Sequence, residues 1–462
     1  MPVNTTANPV TYRDPEKPGR IEELGYGMAG GANNVVWTGI STFLVYFYTD
    51  VVGIAAGLIG TIFLFSRIVD GASDMVMGVV LDKTRTRFGK ARPWLLWLAL
   101  PFAVVATALF AVPDANSTTQ IIYIIVTYNI ALLVYTAVEI PHGTLGALMT
   151  YDQHQRSVLN VAKMIGAYVA IIAITNITLP IVDFFGGGQS GWIYTFVIFG
   201  LVAAAIYFFT FWSTKERTDP VGTKQDKDRP SVKASLISLA RNKYWFIATL
   251  VLLLMYIYNA ITAGVAIYYS EYVLGSPALV GVVATALTLA TLGGMFLVVP
   301  ITRRFGKRNT AIVGCLIAVV GSLIIFAVPD STAVVVVGQV VRGIGKAAIM
   351  GVIFAMLADT MEYGEWKTGI RIEGLIYSGA SMGIKIGTGL GSALIGWGLA
   401  ASGYLGGQET QSAEAVSMIS NLFIWVPSLV SVLMAVLLYF FKLDKQYPQI
   451  LEELRAMKER QA

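Results

Sequence analysis

Twelve apolar stretches, each about the length needed to cross a bilayer, dominate this sequence of 462 residues. A membrane-spanning helix needs about 20 consecutive apolar residues, because its length must match the hydrocarbon core. With 55% hydrophobic and 13% charged residues, the composition fits an all-α, multi-pass membrane protein. The predicted spans are 25–49, 54–80, 93–112, 120–149, 157–182, 192–213, 244–269, 278–299, 310–328, 332–357, 372–400 and 414–442.

Basic residues divide the connections between these spans into two sets. Lys or Arg occurs in 82–92, 150–156, 214–243, 302–309 and 358–371, and in both termini; neither occurs in 50–53, 113–119, 183–191, 270–277, 329–331 or 401–413. Because cytoplasmic loops retain Lys and Arg, both termini are expected in the cytoplasm, as an even number of spans also requires. We expect a monomer in a bacterial inner membrane, with the lipid bilayer and no nucleic acid as partner.

A basic tetrapeptide recurs at corresponding places in two halves of the chain. Arg87–Lys90 (RFGK) joins the second and third spans, and Arg304–Lys307 (RFGK) joins the eighth and ninth. Parallel six-helix repeats around a cytoplasmic central loop are the architecture of major facilitator transporters. The expected organisation is a tail over 1–24, bundles over 25–213 and 244–442, a central loop over 214–243 and a tail over 443–462.

Two carboxylates, Asp70 and Asp74, lie one helical turn apart inside the apolar second span, and Arg67 precedes them by one turn. An ionised carboxylate in hydrocarbon costs several kcal/mol or more unless it meets a cation, a partner or water. Two on one helix face also repel each other unless positive charge comes between them. The pattern therefore predicts an ion or proton site in a transport pathway, and permanent pairing with Arg67 and Lys385 is the structural alternative.

Several sequence blocks resemble one transporter family. They are YFYTDVVG at 46–53, FSRIVDGASDMVMG at 65–78, TRTRFGKARPW at 84–94, VEIPHGTLGALMT at 138–150, ADTMEYGEWKTGIRIEGLIYS at 358–378 and GIKIGTG at 383–389. On these blocks the chain resembles the glycoside–pentoside–hexuronide:cation symporters. The resemblance implies twelve helices, inward-facing and outward-facing states, and uptake of a sugar or glycoside driven by Na⁺ or H⁺.

The family's cation site corresponds here to Asp70, Ser73, Asp74 and Thr136. Hard oxygen ligands suit Na⁺, and a carboxylate pair suits H⁺ equally well. Ser73 stands where melibiose-transporting members carry Asn, and it is a weaker oxygen ligand. The identity of the cation therefore stays open between H⁺ and Na⁺. We expect no cofactor, and no metal other than Na⁺.

The family's sugar site corresponds to Asn33 and Asn34 on the first span, Glu139 on the fourth, Lys163 on the fifth and the neighbourhood of Met350 on the tenth. Asn and Glu side chains can hydrogen-bond sugar hydroxyls. Compared with galactoside transporters, this site has fewer acidic and aromatic residues. For the two asparagines, hydrogen bonding between helices is the alternative role.

Embedded bases outnumber embedded acids in the spans. The bases are Arg67, Lys163, Arg342, Lys346 and Lys385, and the acids are Asp70, Asp74 and Glu139. Arg342 and Lys346 are one turn apart, which is unfavourable unless an anion is near. We therefore expect Lys346 and Lys385 at the substrate and favour a carboxylate-bearing sugar, such as a glucuronide. Permanent pairing of Lys346 with Glu139 or an aspartate is the alternative.

The resulting expectation is a secondary transporter that imports a glycoside or hexuronide with a cation. Charge contacts among Arg87, Lys90, Arg304, Lys307, Glu362 and Glu365 are expected to lock its outward-facing state. A Na⁺-coupled lysolipid symporter and a symporter of neutral pentosides or galactosides are the alternatives. No nucleophile–base set and no phosphate-binding loop is visible in the sequence, so we expect neither an enzyme nor a primary pump.

Overall fold

The computed structural model describes residues 17–217, 232–370 and 372–461. Within them, nine helical segments are long and apolar enough to cross a membrane, and α3 is apolar but shorter. α1 and α2, of 27 and 28 residues, are also long enough to cross a membrane, so the helices are consistent with the predicted twelve spans. The helices are α1 Arg20–Tyr46, α2 Ala56–Lys83, α3 Arg92–Ala108, α4 Ser117–Met149, α5 Gln153–Phe184, α6 Gly188–Ser213, α7 Val232–Ala240, α8 Lys243–Gly264, α9 Ala266–Tyr272, α10 Val280–Phe305, α11 Lys307–Ala327, α12 Thr332–Thr368, α13 Glu373–Ala401, α14 Ala413–Phe440 and α15 Leu443–Gln461.

The end of the molecule where α1 begins is called here the terminal end, and the opposite end is called the far end. At the terminal end, some helices extend beyond the predicted apolar spans. α1 begins at Arg20 because the Glu22 carboxylate accepts a hydrogen bond from the Gly19 N–H, at 2.8 Å. α12 continues to Thr368 and stops at Gly369, whose φ of 69° suits a residue without a side chain. Both extensions are polar, so hydrophobicity did not predict them.

Two further helices form in segments that the sequence predicts to be a loop and a tail. α7 lies in the predicted central loop, and α15 lies in the predicted C-terminal tail. α15 is amphipathic, and Ile450 and Leu454 on its apolar face are buried. Three parts of the predicted loop and tails lie outside the described residues: 218–231 of the central loop, 462 of the C-terminal tail and 1–16 of the N-terminal tail.

The two RFGK turns are built alike in the two halves of the chain. Gly89 and Gly306 both have positive φ, 108° and 80°, which a residue without Cβ adopts readily. In each half, an acidic residue that follows the sixth long helix accepts hydrogen bonds from backbone N–H groups at the start of the helix after the RFGK turn. Glu216 accepts hydrogen bonds from the N–H groups of Lys90, Ala91 and Arg92, around the start of α3, at 2.7–2.9 Å. Asp444 accepts a hydrogen bond from the Arg308 N–H of α11 at 2.9 Å.

The two halves meet chiefly along α2 and α13, and along α5 and α10. Small residues bring α2 and α13 close: a Cβ on Gly60 would lie 3.0 Å from Ala393 Cα. The Trp397 indole donates to Thr61 at 3.0 Å, and on the second seam Asn176 donates to Thr285 at 2.7 Å. This arrangement leaves a cavity between the halves at mid-height.

Candidate functional site

The far end of the molecule is closed by hydrogen bonds between the halves. Asp50 Oδ1, just beyond α1, accepts from the Tyr404 hydroxyl at 2.6 Å, the Gly407 N–H at 3.1 Å and the Tyr272 hydroxyl at 3.4 Å. Burial raises the pKa of the Asp50 carboxyl, and these donors oppose the rise. Glu271 on α9 is close enough to interact electrostatically with Asp50. Protonation of Asp50 is therefore easier in the closed arrangement than in water.

A cavity of about 390 Å³ lies between the halves, walled by α1 and α5 on one side and by α8, α10, α12 and α13 on the other. Its volume falls within the range of small-molecule sites. Its polar side chains include Asn34, Thr38, Asn259, Gln339 and Lys346. The mixture of amide, hydroxyl and ammonium groups can hydrogen-bond a polyhydroxylated molecule.

Three aromatic residues also line this cavity: Trp37 on α1, Tyr168 on α5 and Tyr256 on α8. The sequence predictions do not include these three residues, because aromatic residues were expected at the substrate only at the family's usual positions. One signal was available for Trp37, since it lies three residues after Asn34 and therefore on the same helix face. Flat apolar rings among polar groups are suited to the faces of sugar rings.

Asp70 and Asp74 lie beside the cavity, where α2 meets α4 and α13. Thr136 donates to Asp70 Oδ1 at 3.1 Å and approaches Asp74 Oδ1 at 3.4 Å. Arg67 Nη1 lies 3.2 Å from Asp70 Oδ2, with both side chains almost fully buried. Ser73 Oγ donates to the Asp70 carbonyl at 2.7 Å, so this hydroxyl is engaged by its own helix.

Lys385 of α13 supplies positive charge between the two carboxylates. Its Nζ lies 2.9 Å from Asp70 Oδ1 and 2.7 Å from Asp74 Oδ1. Arg67 and Lys385 together balance the two acids. Lys385 was predicted to contact the substrate. It instead contacts the two carboxylates of the predicted cation site, and it is not among the residues that line the cavity.

Three of the predicted substrate residues form a polar network on the N-terminal half. Lys163 Nζ lies 2.7 Å from Glu139 Oε1, and the Asn33 amide donates to the other oxygen of that carboxylate. The Tyr207 hydroxyl donates to Asn33, and the buried His142 ring contacts the same amide at 3.3 Å. Asn33, Glu139 and Lys163 are not among the residues that line the cavity, whereas Asn34 and Met350 are.

Two of the five embedded bases have no carboxylate partner among the described residues. Arg342 is fully buried and donates to Ser322, Gln339 and the Phe423 carbonyl at 2.7–3.2 Å. Lys346 lines the cavity, and within the described residues its ammonium has no hydrogen-bond or ion-pair partner. The cavity wall therefore carries excess positive charge.

Near the terminal end, two of the predicted gating residues form ion pairs with other described residues, and each of these pairs joins residues of the same half. Lys90 pairs with Asp82 at 2.6 Å, and Lys307 pairs with Asp359 at 2.5 Å. The Arg87 and Arg304 guanidinium groups lie over their neighbouring Phe88 and Phe305 rings. Glu362 and Glu365 lie in the last two turns of α12.

Two helical halves around a central polar cavity, with charged groups at mid-membrane, define a secondary transporter of the major facilitator type. The family model described as MFS/sugar transport protein matches residues 25–445. An isoprimeverose transporter of Lactiplantibacillus pentosus is 35% identical over 94% of this chain and 91% of its own. A glucuronide carrier protein homolog of Escherichia coli (strain K12) is 31% identical over 93% of this chain and 94% of its own.

Among solved structures, an inward-facing bacterial homologue of the human lysosomal transporter Spinster has a TM-score of 0.68 at 15% identity. It covers 92% of this chain and 96% of its own, and this likeness concerns the fold alone. The chain belongs to the MFS/sugar transport family of glycoside–pentoside–hexuronide:cation symporters, as its sequence blocks predicted. The protein is thus a multi-pass secondary active symporter and not an enzyme.

Proposed function

We propose that this symporter imports a glycoside that carries a carboxylate, a hexuronide, together with a proton. The observation that carries the substrate proposal is Lys346, an ammonium on the cavity wall without a partner among the described residues. A cation in a low-dielectric site is stable when an anion joins it, and a uronate supplies that anion. Arg342, buried one turn away on α12, adds to the positive potential.

The coupling cation is proposed to bind between Asp70 and Asp74, with Thr136 as a further ligand. The Lys385 ammonium and the incoming cation then compete for the same carboxylate oxygens. When the cation binds, Lys385 is released, and when the cation leaves, Lys385 restores the charge balance. An empty carrier with balanced charges can change its conformation without leaving unpaired charges in the membrane.

A proton fits this site better than Na⁺. A Na⁺ ion needs several oxygen ligands, and Ser73 directs its hydroxyl to a backbone carbonyl of its own helix. A proton needs only one carboxylate oxygen. Ser73 itself is proposed to adjust the Asp70 carboxylate, which its hydroxyl oxygen approaches at 3.4 Å, rather than to bind the cation directly.

The terminal end is proposed to face the cytoplasm of a bacterial inner membrane, since the connections rich in Lys and Arg lie there. The Asp50 contacts at the far end then close the outside, which corresponds to an inward-facing state. In the outward-facing state, the RFGK turns and the acids at the end of α12 are proposed to join the halves instead. A monomer suffices, because each chain has its own cavity.

Counterflow in membrane vesicles tests the proposal. Vesicles loaded with 4-nitrophenyl β-D-glucuronide or 4-nitrophenyl β-D-glucoside are diluted into trace labelled glucuronide, at fixed pH and with Na⁺ or choline outside. We expect exchange with the glucuronide, little with the glucoside, and no requirement for Na⁺. Equal exchange with both would contradict the hexuronide proposal, and strict Na⁺ dependence would contradict the proton.

A further inference from the structure

Trp37 connects the cavity to the carboxylate pair. Its indole lines the cavity, and the Arg67 Cζ atom lies 4.3 Å from the ring centroid. The same guanidinium is 3.2 Å from Asp70 Oδ2. One ring is therefore in contact with the space for the substrate and with the arginine that holds a proposed cation ligand.

A second contact leads from Trp37 to the same site. The Tyr135 ring centroid lies 4.8 Å from that of Trp37, and the next residue, Thr136, donates to Asp70. One route crosses from α1 to α2, which carries the carboxylates, and the other crosses to α4, which carries Thr136. Tyr168 also lines the cavity, but its hydroxyl contacts Met295 at 3.9 Å, and among the described residues Arg67 lies over the rings of Trp37 and Tyr128 rather than over that of Tyr168. Trp37 and Tyr168 thus form a matched pair of aromatic residues for an experiment.

We propose that Trp37 is a positioning residue that couples sugar binding to cation binding through Arg67. The inference rests on the proposed symport function and names the residue that transmits it. A sugar ring packs against the cavity side of the indole, and Arg67 determines how that indole is held.

The physical link is a competition for one guanidinium. Without a coupling cation, Arg67 is attracted both to Asp70 and to the electron-rich face of Trp37. A cation at Asp70 weakens the first attraction, so the guanidinium settles on the ring and fixes it for the sugar. By linkage, a bound sugar raises cation affinity by the same factor. A buried cation–π contact can account for a coupling factor of up to about thirtyfold.

The test compares variants by one ratio: the Kd of 4-nitrophenyl β-D-glucuronide at pH 8.5 divided by its Kd at pH 5.5, each in Na⁺ and in choline. Purified full-length protein is used, and its fold is checked by thermal unfolding. We expect Trp37→Leu to bring this ratio close to one, and Trp37→Phe to keep most of it because a ring remains. Tyr168→Leu should weaken binding equally under all conditions and leave the ratio unchanged.

The outcomes separate the coupling role from the proposed function. If Trp37→Leu weakens binding but keeps the wild-type ratio, or if Tyr168→Leu lowers the ratio as much, the coupling role is wrong while symport stands. If Trp37→Leu does not fold, an unchanged ratio in Arg67→Lys, which loses the planar guanidinium, overturns the role. If the wild type binds the probe with no dependence on pH or Na⁺, both proposals fail.

Discussion

Replacing Lys346 by Met tests the charge of the substrate, because Met preserves much of the side-chain volume and removes the ammonium. Two unit charges 4 Å apart attract by about 4 kcal/mol at an effective dielectric constant of 20. The cost of removing both charges from water offsets part of this attraction, so we expect about half of this energy for an ammonium and a uronate. About 2 kcal/mol corresponds to roughly thirtyfold in affinity.

The assay is competition against labelled glucuronide uptake by matched glucuronide and glucoside inhibitors. In the wild type we expect the glucuronide to compete about thirtyfold better, and in Lys346→Met the two should become similar. Lys346→Arg keeps the charge and should keep most of the preference. Lys163→Met is the control for a paired base, because Glu139 already lies 2.7 Å from Lys163 Nζ.

Two results would refute this reasoning. One is a wild type that binds both inhibitors equally, which would mean that the Lys346 charge does not meet the substrate. The other is a Lys346→Met variant that loses both inhibitors by the same factor, which would point to a role in packing. The transporter assignment would survive either result, since it rests on the family match over residues 25–445 and not on this lysine.

Three further predictions follow from the geometry. Asp70→Asn and Asp74→Asn should each abolish accumulation driven by a gradient while some exchange persists, and accumulation at the wild-type rate in vesicles would contradict the coupling site. Uptake should rise as external pH falls and should continue when choline replaces Na⁺. Since burial raises the pKa of Asp50 in the closed state, closure should be favoured as pH falls toward the ordinary carboxyl range. Tyr404→Phe should weaken closure, seen as faster external labelling of a Thr42→Cys variant, and Asp50→Asn should remove the pH dependence of that labelling.

The all-helical membrane fold, the repeated RFGK turns and the family were accessible from the sequence because each depends on local patterns. The i, i+4 spacing of Asp70 and Asp74 already places them on one helix face, whatever the helix packs against. The same local reasoning did not predict α7 and α15. α7 has only nine residues and α15 is amphipathic, so a search for apolar spans of about 20 residues is insensitive to both.

Only the tertiary structure decided which base meets which acid. Five bases and three acids could be counted in the spans, but the contacts of Lys385 with Asp70 and Asp74 join residues more than 300 positions apart. Such a contact depends on the rotation and close approach of α2 and α13, which spacing along one helix does not determine.

The same holds for the cavity wall. Trp37 and Lys346 fall within predicted spans, but only the packing of the two halves decided that both reach one cavity. It also decided that Trp37 lies against Arg67, 30 residues further along the chain on another helix. Helical periodicity determines which residues share a face, whereas the approach of other helices determines what that face touches.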